Sequence, residues 1–530
     1  MSRTVTGTGS LLRFLLRRER RALPLWMGGA TFLVAYQSVG SQSIYDTPEK
    51  LAQLQQTYGA NAGMVAFSGP TELLGTIGGE VVFEIFAFLS IVVALMNMFL
   101  IGRNTRSEEE NGRAELIRSA RVGRRAPLTA AMTLAGLSNV VLGVLVFAAT
   151  AGTGLPAGGA VLLGLATTGV GLFFAALTAV AVQIFESSRA VYGSVGAALG
   201  LAFLLRAAGD GGNAVLSWLS PIGWGQRTFP FVADRWWPLL LPLLTSALLT
   251  LVAVALLDRR DVAAGLVAPR LGPATAGPAL GSPLGLAWRL QRGSMIGWGI
   301  GLFAFGLAYG SFGQSIEQFV KDNPDVAGVF PGGAGNIVNG YLSFTTLSLA
   351  IITAAYGITA ALRARSEESS GRAEPILATR ISRASWLSSH VLVAMVGSVL
   401  VLVAGGLGQG LAYASAVSDN AQIPRLIGVA LVQAPAMAVI VGLAVLGFGL
   451  VPRLAAALAW TLFGICAFIT FFGDAIDLPQ ALLDVSPFTH TPQAPLEPVT
   501  ATPLVVVTVV VAALLAGGYL GLRRRDITTA

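Results

Sequence analysis

Cysteine, histidine, lysine and charge in general are all scarce in this chain of 530 residues. The lone Cys466 excludes an intramolecular disulfide framework, and no CxxC pair is present for metal or redox work. It sits in an apolar run and reads as a small buried residue. Two histidines, His390 and His490, cannot build a histidine-rich metal site, so no metal is expected. Lysine occurs only at Lys50 and Lys321. A Walker A loop needs GxxxxGK followed by Ser or Thr, the lysine reaching the terminal phosphates. Lys50 follows Thr47, Pro48 and Glu49, and Lys321 follows Gln318, Phe319 and Val320, so the chain has no P-loop of its own. With no serine–histidine–acid set either, a catalytic role is not expected.

Apolar sequence fills the space that charge leaves. Hydrophobic residues make up 54%, charged residues 12%, and the mean hydropathy is +0.71, the composition of a polytopic membrane protein. Crossing a bilayer takes about 20 apolar residues per helix. Twelve spans are predicted, near 23–40, 81–101, 128–149, 158–183, 191–208, 237–257, 293–311, 341–362, 387–412, 426–450, 455–473 and 503–522. The first follows a basic segment, but its apolar run is long and no A-x-A-like cleavage site follows, so it is read as retained. An even number of spans places both termini on one side. With that side inside, only Lys50, Arg206, Arg227, Arg235, Lys321 and Arg425 of the 34 basic residues fall outside, a positive-inside asymmetry. The net charge of +7 then forms a cytoplasmic rim suited to anionic membrane lipid, not a nucleic-acid surface.

Two charged cassettes interrupt the apolar pattern: RSEEENGRAELIRSAR at 106–121 and RSEESSGRAEPILATR at 365–380. They belong to a larger duplication. Arg17, Arg20 and Trp26 match Arg289, Arg292 and Trp298; Ser220-Pro221 matches Ser486-Pro487; Arg259-Arg260-Asp261 matches Arg524-Arg525-Asp526. The expected architecture is therefore all-α, with twelve transmembrane helices arranged as two parallel six-helix repeats. Its parts are a first half at 1–264, a Pro/Gly-rich cytoplasmic linker at 265–285 and a second half at 286–530. Small-xxx-small pairs at Gly196/Gly200, Gly297/Gly301 and Gly306/Gly310 permit close helix approach.

Each cassette is predicted to form a short charged helix outside the bilayer. Ser107 and Ser366 are placed as N-caps, with glutamates in the first turn where the helix dipole favours them. Ser107 and Glu110 have capping-box spacing. Glu109 with Arg113, and Glu368 with Arg372, are four apart in the favourable order. Gly112 and Gly371 are expected to break or bend the helix. For one loop, solvated arginines would explain such a sequence. Two copies matching at Arg106/Arg365, Ser107/Ser366, Glu108/Glu367, Glu109/Glu368, Gly112/Gly371, Arg113/Arg372 and Glu115/Glu374 favour a docking surface presented twice.

The cassettes, the twelve spans and the two halves resemble the permeases of tetronasin-type polyketide antibiotic exporters, within the type 2 ABC permeases. The resemblance implies that each cassette is a coupling helix and that two ABC ATPase subunits bind each permease chain. ATP and Mg2+ would be held by those subunits, with no cofactor in this chain. It implies a bacterial inner-membrane location with both termini cytoplasmic, and a small hydrophobic or amphiphilic cargo such as an antibiotic or drug. It also implies that segments 11–21 and 284–292 are amphipathic helices along the cytoplasmic interface, and that re-entrant helices lie at the exit. Pro375 stands where the first cassette has Leu116, so the two docking helices need not be equivalent.

Outer segment 217–237 is crowded with aromatics. Trp218, Trp224, Phe229 and Phe231 are candidates for an exit gate, against the plainer expectation of an interfacial aromatic belt. An ion-driven carrier needs an ionisable group within the membrane. Glu84, one turn after Glu80 near the outer end of the second span, is the best candidate, and no acidic residue stands mid-span. The loop after the second span also lacks the GxxxDRxGRR pattern of major-facilitator carriers. The expected function is the membrane subunit of an ATP-driven exporter, not itself an enzyme. The alternative is an ion-coupled drug carrier without an ATPase; a third class, a membrane scaffold, would show no flux.

Overall fold

A backbone among hydrocarbon tails can satisfy its own hydrogen bonds only as a helix or a closed barrel. The computed structural model of the chain takes the first solution. It describes residues 3–45, 47–59, 62–212, 214–261, 264–267, 272, 274–313, 316, 336–473 and 478–526, and these contain helices and turns but no strand. The chain divides into two compact units, Met1–Gly272 and Pro273–Ala530.

In the first unit the helices are α1 (Thr8–Glu19), α2 (Ala22–Ile44), α3 (Pro48–Gly59), α4 (Ala62–Ser68) and α5 (Ile77–Asn104). They are followed by α6 (Arg106–Glu110), α7 (Arg113–Arg118), α8 (Ala126–Gly152), α9 (Ala157–Ile184) and α10 (Ser188–Asp210). The short α11 (Val215–Trp218) and α12 (Pro221–Gln226) precede α13 (Leu240–Arg259). The second unit holds α14 (Pro283–Phe312), α15 (Ile337–Ala361), α16 (Arg363–Ser369), α17 (Ala373–Leu377) and α18 (Arg383–Val417). After these come α19 (Gln422–Val432), α20 (Ala434–Leu450), α21 (Ala455–Phe472), α22 (Gln480–Leu483) and α23 (Ala501–Arg524).

Among the described residues, ten helical segments are long and apolar enough to cross a membrane. Helices α19 and α20 form one of them, broken only at Gln433, because Pro435 in the first turn of α20 cannot donate to the turn before it. Two of the twelve expected spans are helical but fall outside the ten. Helix α2 ends in a polar stretch containing Gln37, Ser38, Ser41, Gln42 and Ser43, and α21 is shorter than the rest.

Within the first unit α9 is the central helix, packed on α5, α8 and α13. At the α8–α9 crossing Gly143 and Gly164 face each other, so that a Cβ on either would collide with the other's carbonyl oxygen. The outer surface of α13 is a bare leucine face, with Leu243, Leu244, Leu248 and Leu251 all exposed. A face of that kind belongs against lipid. In the second unit Gly306 and Gly310 let α14 lie directly on the backbone of α18 at Gly405 and Gln409. Gly196, Gly200, Gly297 and Gly301 meet nothing within 4 Å, so only one of the three glycine pairs expected to pack does so.

The two units begin differently. Segment 11–21 forms a separate helix, α1, with Leu15 and Glu19 buried. Segment 284–292 does not: it is the start of α14, one continuous helix of 30 residues, contrary to the expected separate amphipathic helix. The helix opens at the N-cap Ser282, which accepts a hydrogen bond from the Gly285 N–H at 3.1 Å, and it runs on because Ile296 stands where the first unit has Pro24, whose nitrogen cannot donate back to the turn between α1 and α2.

Candidate functional site

The duplicated cassettes occupy equivalent places, immediately after the second long apolar helix of each unit. In the first, Thr105 leaves helical geometry (φ −131°, ψ −85°) and α6 starts at Arg106. In the second only Leu362, itself in helical geometry, separates α15 from α16. Neither Ser107 nor Ser366 is therefore an N-cap, as the sequence suggested, because both lie inside helices that begin earlier. The Ser107 hydroxyl instead meets that of Ser188 at 2.9 Å. Ser188 also donates to Glu110, which takes Glu110 out of the expected capping box. Gly112 and Gly371 do end their helices, both in the left-handed region at φ +70° and +71°.

Around those breaks the expected ion pairs shift by one residue. Arg113 reaches Glu108 at 3.7 Å and Arg372 reaches Glu367 at 3.3 Å. Glu109 and Glu368 turn inward to arginines far along the chain. Arg260, just past α13, holds the Glu109 carboxylate through two donors at 2.6 and 3.0 Å. Arg525, just past α23, holds Glu368 in the same way at 2.6 and 2.7 Å. Bidentate pairs of this kind are among the strongest charge-assisted hydrogen bonds.

The first arginine of each cassette is braced as well. Arg106 is fully buried, pairs with Glu109 at 2.8 Å, and donates to the Val182 carbonyl near the end of α9. Arg365 donates to the carbonyls of Pro452 at 2.6 Å and Arg453 at 3.2 Å, just past α20. The first unit adds a clasp to α1. Arg18 pairs with Glu108 at 2.8 Å, while the buried Glu19 accepts from Arg103 and from Asn104 at 2.9 Å. In the second unit Arg363, on α16 itself, pairs with Glu367 at 2.6 Å.

Most of the matched cassette residues thus face the protein. What faces outward is a smaller set. In the first unit Glu110, Asn111, Gly112, Arg113, Glu115 and Leu116 are exposed, Leu116 by 75%. In the second, Ser366, Arg372, Glu374 and Pro375 are exposed.

At the opposite end of the first unit, the aromatic segment is a packed structure. Ser220 caps α12, accepting from Ile222 and Gly223, and Ser486 caps the short turn of 487–490 in the second unit. Trp224 donates its indole N–H to the Trp218 carbonyl at 2.6 Å, and Trp218 stacks on Trp237 with ring centroids 5.0 Å apart. Phe229 is buried, and Phe231 lies against Gly78 and Gly159, where any Cβ would strike its ring. Both phenylalanines have positive φ, 46° and 66°, and the Phe231 N–H donates to Asp234 at 2.9 Å. Trp218, Trp224 and Phe231 are half-buried, so of the four candidates only Phe229 is fully packed away. Glu80 is fully buried and Glu84 accepts from the Gln37 amide at 2.8 Å, both within the first turns of α5 at that same end.

Sequence reasoning missed the partners Arg260, Arg525, Arg18 and Glu19. The repeated Arg-Arg-Asp motif was the available signal for the first two. Among the described residues, no group of three or more His, Cys, Asp or Glu side chains could hold a metal ion.

Two comparisons with known proteins bear on this arrangement. The family model described as the C-terminal domain of the multidrug efflux system permease Rv1217c matches residues 280–523. The multidrug efflux system permease protein Rv1217c of Mycobacterium tuberculosis is 37% identical over 528 residues, covering 98% of this chain and 95% of the relative. With ten apolar helices of membrane-crossing length, the chain is a multi-pass membrane transport protein, and it belongs to this family of multidrug efflux permeases.

Proposed function

We propose that the chain is the membrane subunit of an ATP-driven ABC exporter of the tetronasin type, moving hydrophobic or amphiphilic drugs out across a bacterial inner membrane. It crosses twelve times as two parallel six-helix halves, 1–264 and 286–530, joined by the linker 265–285. Helices α2 and α21 complete the count, and both termini are cytoplasmic. Each cassette receives one ATPase subunit, which holds the ATP and Mg2+. The observation that carries this reading is that two matched cassettes are each braced from behind while presenting a small matched surface in front. Arg113 with Glu115, and Arg372 with Glu374, stand at corresponding exposed places, next to Leu116 and Pro375. A loop whose only task was to carry positive charge would need no such bracing. At the other end, Trp218 and Trp224, with Phe229 and Phe231 packed beneath, serve as the exit gate.

Affinity purification of the tagged full chain from native membranes, with partners counted by mass spectrometry, tests this. Two ATPase copies per chain are expected. Combining Arg113→Glu with Leu116→Asp should lose one copy, and adding Arg372→Glu the other, with the permease still in the membrane. A chain recovered alone under gentle extraction rejects the reading.

A second reading, an ion-coupled drug carrier, is favoured by one observation: fully buried Glu80 one helical turn from Glu84. Glu84→Gln would then abolish a proton-dependent flux, whereas an ATP-driven exporter should keep most of its transport.

A further inference from the structure

The pairs Glu109–Arg260 and Glu368–Arg525 form the same joint built twice. In both, the second glutamate of the cassette meets the middle arginine of an Arg-Arg-Asp triplet. In both, that arginine is the first residue past the last long helix of its unit. Arg260 (φ −95°, ψ 151°) and Arg525 (φ −101°, ψ 157°) leave α13 and α23 with nearly the same backbone geometry. Each donates its own backbone N–H back into its helix, to Leu256 and Gly521.

The surroundings of the joint differ. Arg260 also donates to the Gln183 side chain at 2.7 Å and to the Ala264 carbonyl at 2.9 Å. Arg525 instead lies over the Phe448 ring, 4.9 Å from its centroid. The neighbours have changed while the pair and its place in the fold have stayed.

Stability is a poor reason to keep such a pair. A buried ion pair gives up its hydration, and apolar replacements of similar volume are often as stable or more so. What a bidentate pair supplies in full is geometry: a fixed distance and a fixed orientation between two elements. Arg106 and Arg365 add a second point of attachment, to the chain at the end of α9 and just past α20.

We propose that Glu109–Arg260 and Glu368–Arg525 are transmission joints, which make each cassette and the end of the last long helix of its unit move as one body. Glu109 and Glu368 are positioning residues on this view, acting through α13 and α23 and not by contact with a partner. The inference rests on the cassette being the part that is pushed, as the proposed docking of an ATPase requires. It differs from that reading in where it places the glutamates, behind the contact surface instead of on it.

The test uses the full chain, with Cys466→Ala as background so that spin labels go only where they are placed. In the first unit the labels are at Ala120→Cys and Leu251→Cys; in the second they are at Thr379→Cys and Leu520→Cys. Electron–electron double resonance reads the distance between cassette and last helix. With the joint intact, each pair should give one narrow distance. Glu109→Gln or Arg260→Lys should broaden the first pair and leave the second unchanged, and Glu368→Gln should do the reverse. The swap Glu368→Arg with Arg525→Glu should narrow the second again, since there the first arginine of the cassette is held by the Pro452 and Arg453 carbonyls and not by the glutamate. Ethidium accumulation in an efflux-deficient host should rise toward the empty-vector level for each single variant and return to within twofold of the unaltered chain for the swap. Arg260→Lys keeps the charge while giving up the two-point grip on Glu109 and the bond to Gln183, so a need for net charge alone predicts that it behaves like the unaltered chain.

Unchanged distances in the single variants overturn the proposal. Broadened distances with full efflux overturn it too, because the pair would then be a local clamp. If the unaltered chain does not lower ethidium accumulation, the label distances alone decide. Recovery of the chain without an ATPase rejects the docking reading and leaves the distance result standing.

Discussion

Asn97 on α5 and Asn139 on α8 bond to each other through both of their amides, at 2.9 and 2.8 Å, with neither side chain exposed. Each also donates to the carbonyl four residues back on its own helix, Val93 and Ala135. In an apolar interior such a reciprocal pair fixes the rotation and height of one helix against the other. Membrane hydrogen bonds of this type contribute on average about 0.6 and at most about 1.7 kcal/mol. Asn97→Leu alone should cost about 1–3 kcal/mol, because Asn139 is left buried with part of its amide unpaired. The double change to Leu should be closer to the unaltered chain than either single. Thermal unfolding in detergent of the two singles and the double checks this. Additive losses would mean that the pair is not the unit of stability.

Gly112 and Gly371 meet no atom within 4 Å of where a Cβ would stand, so a substitution there tests the backbone alone. Left-handed geometry costs a residue with a Cβ roughly 1–2 kcal/mol, and asparagine tolerates it better than most. Gly112→Ala should therefore raise hydrogen exchange in residues 106–117 more than Gly112→Asn does. The same order should hold at Gly371. Equal effects of Ala and Asn would show that the break does not depend on this dihedral angle.

These glycines also show what could be read from the sequence. Helix existence was legible almost everywhere, because apolar runs of this length have one stable form in a bilayer. The breaks at Gly112 and Gly371 were legible too, since glycine interrupts an otherwise charged helical run. The caps were not. Ser107 and Ser366 have the right chemistry, but Leu362 keeps α15 helical straight into α16 and Thr105 starts α6 two residues early. The partners of the glutamates were hidden for a different reason. A spacing of four favours Glu109 with Arg113 only while both sit on one helix. Burial of Glu109 beside Arg260, 151 residues away, is set by packing that local spacing cannot express. The sequence did hold both members of each joint as repeated motifs, without saying that they meet. Likewise Gly306 and Gly196 look alike in sequence, yet only Gly306 has a helix laid across it.

Phe231 anchors the aromatic segment on α5 and α9. Its ring fills the space above Gly78 and Gly159, and its carbonyl accepts from Thr76 at 3.1 Å. Gly159→Ala should destabilise the first unit by about 1–3 kcal/mol, since the new methyl has to displace both ring and backbone. Adding Phe231→Leu should recover part of that loss, because the ring is gone while the backbone contact remains. The thermal midpoints of the three variants check the order. No recovery in the double variant would place the conflict wholly in the backbone.

Glu19 and its counterpart Gln291 have different partners in the two units. Glu19 is buried against Arg103 and Asn104, whereas Gln291 lies 3.4 Å from His390 in a helix that needs no tether. Helix α1 is a separate piece of 12 residues, too short to be stable without packing partners. Removing Glu19 leaves the buried Asn104 amide with its bond to the Leu100 carbonyl alone and one N–H unpaired, at a cost of about 1–3 kcal/mol. Removing Arg18, 27% exposed in its pair with Glu108, breaks a contact nearer to water, worth about 0–1 kcal/mol. Glu19→Ala should therefore raise hydrogen exchange across residues 8–19 about 5- to 150-fold, and Arg18→Ala by several-fold at most. Salt should sharpen the contrast. At about 1 M the Debye length is near 3 Å, which weakens the Arg18 pair and the outer, Arg103 side of the Glu19 pair, and leaves the buried bond from Asn104 to Glu19 largely intact. Exchange in the unaltered chain that rose steeply with salt, or an Arg18→Ala effect larger than that of Glu19→Ala, would show that α1 is held from its surface and not from the buried carboxylate.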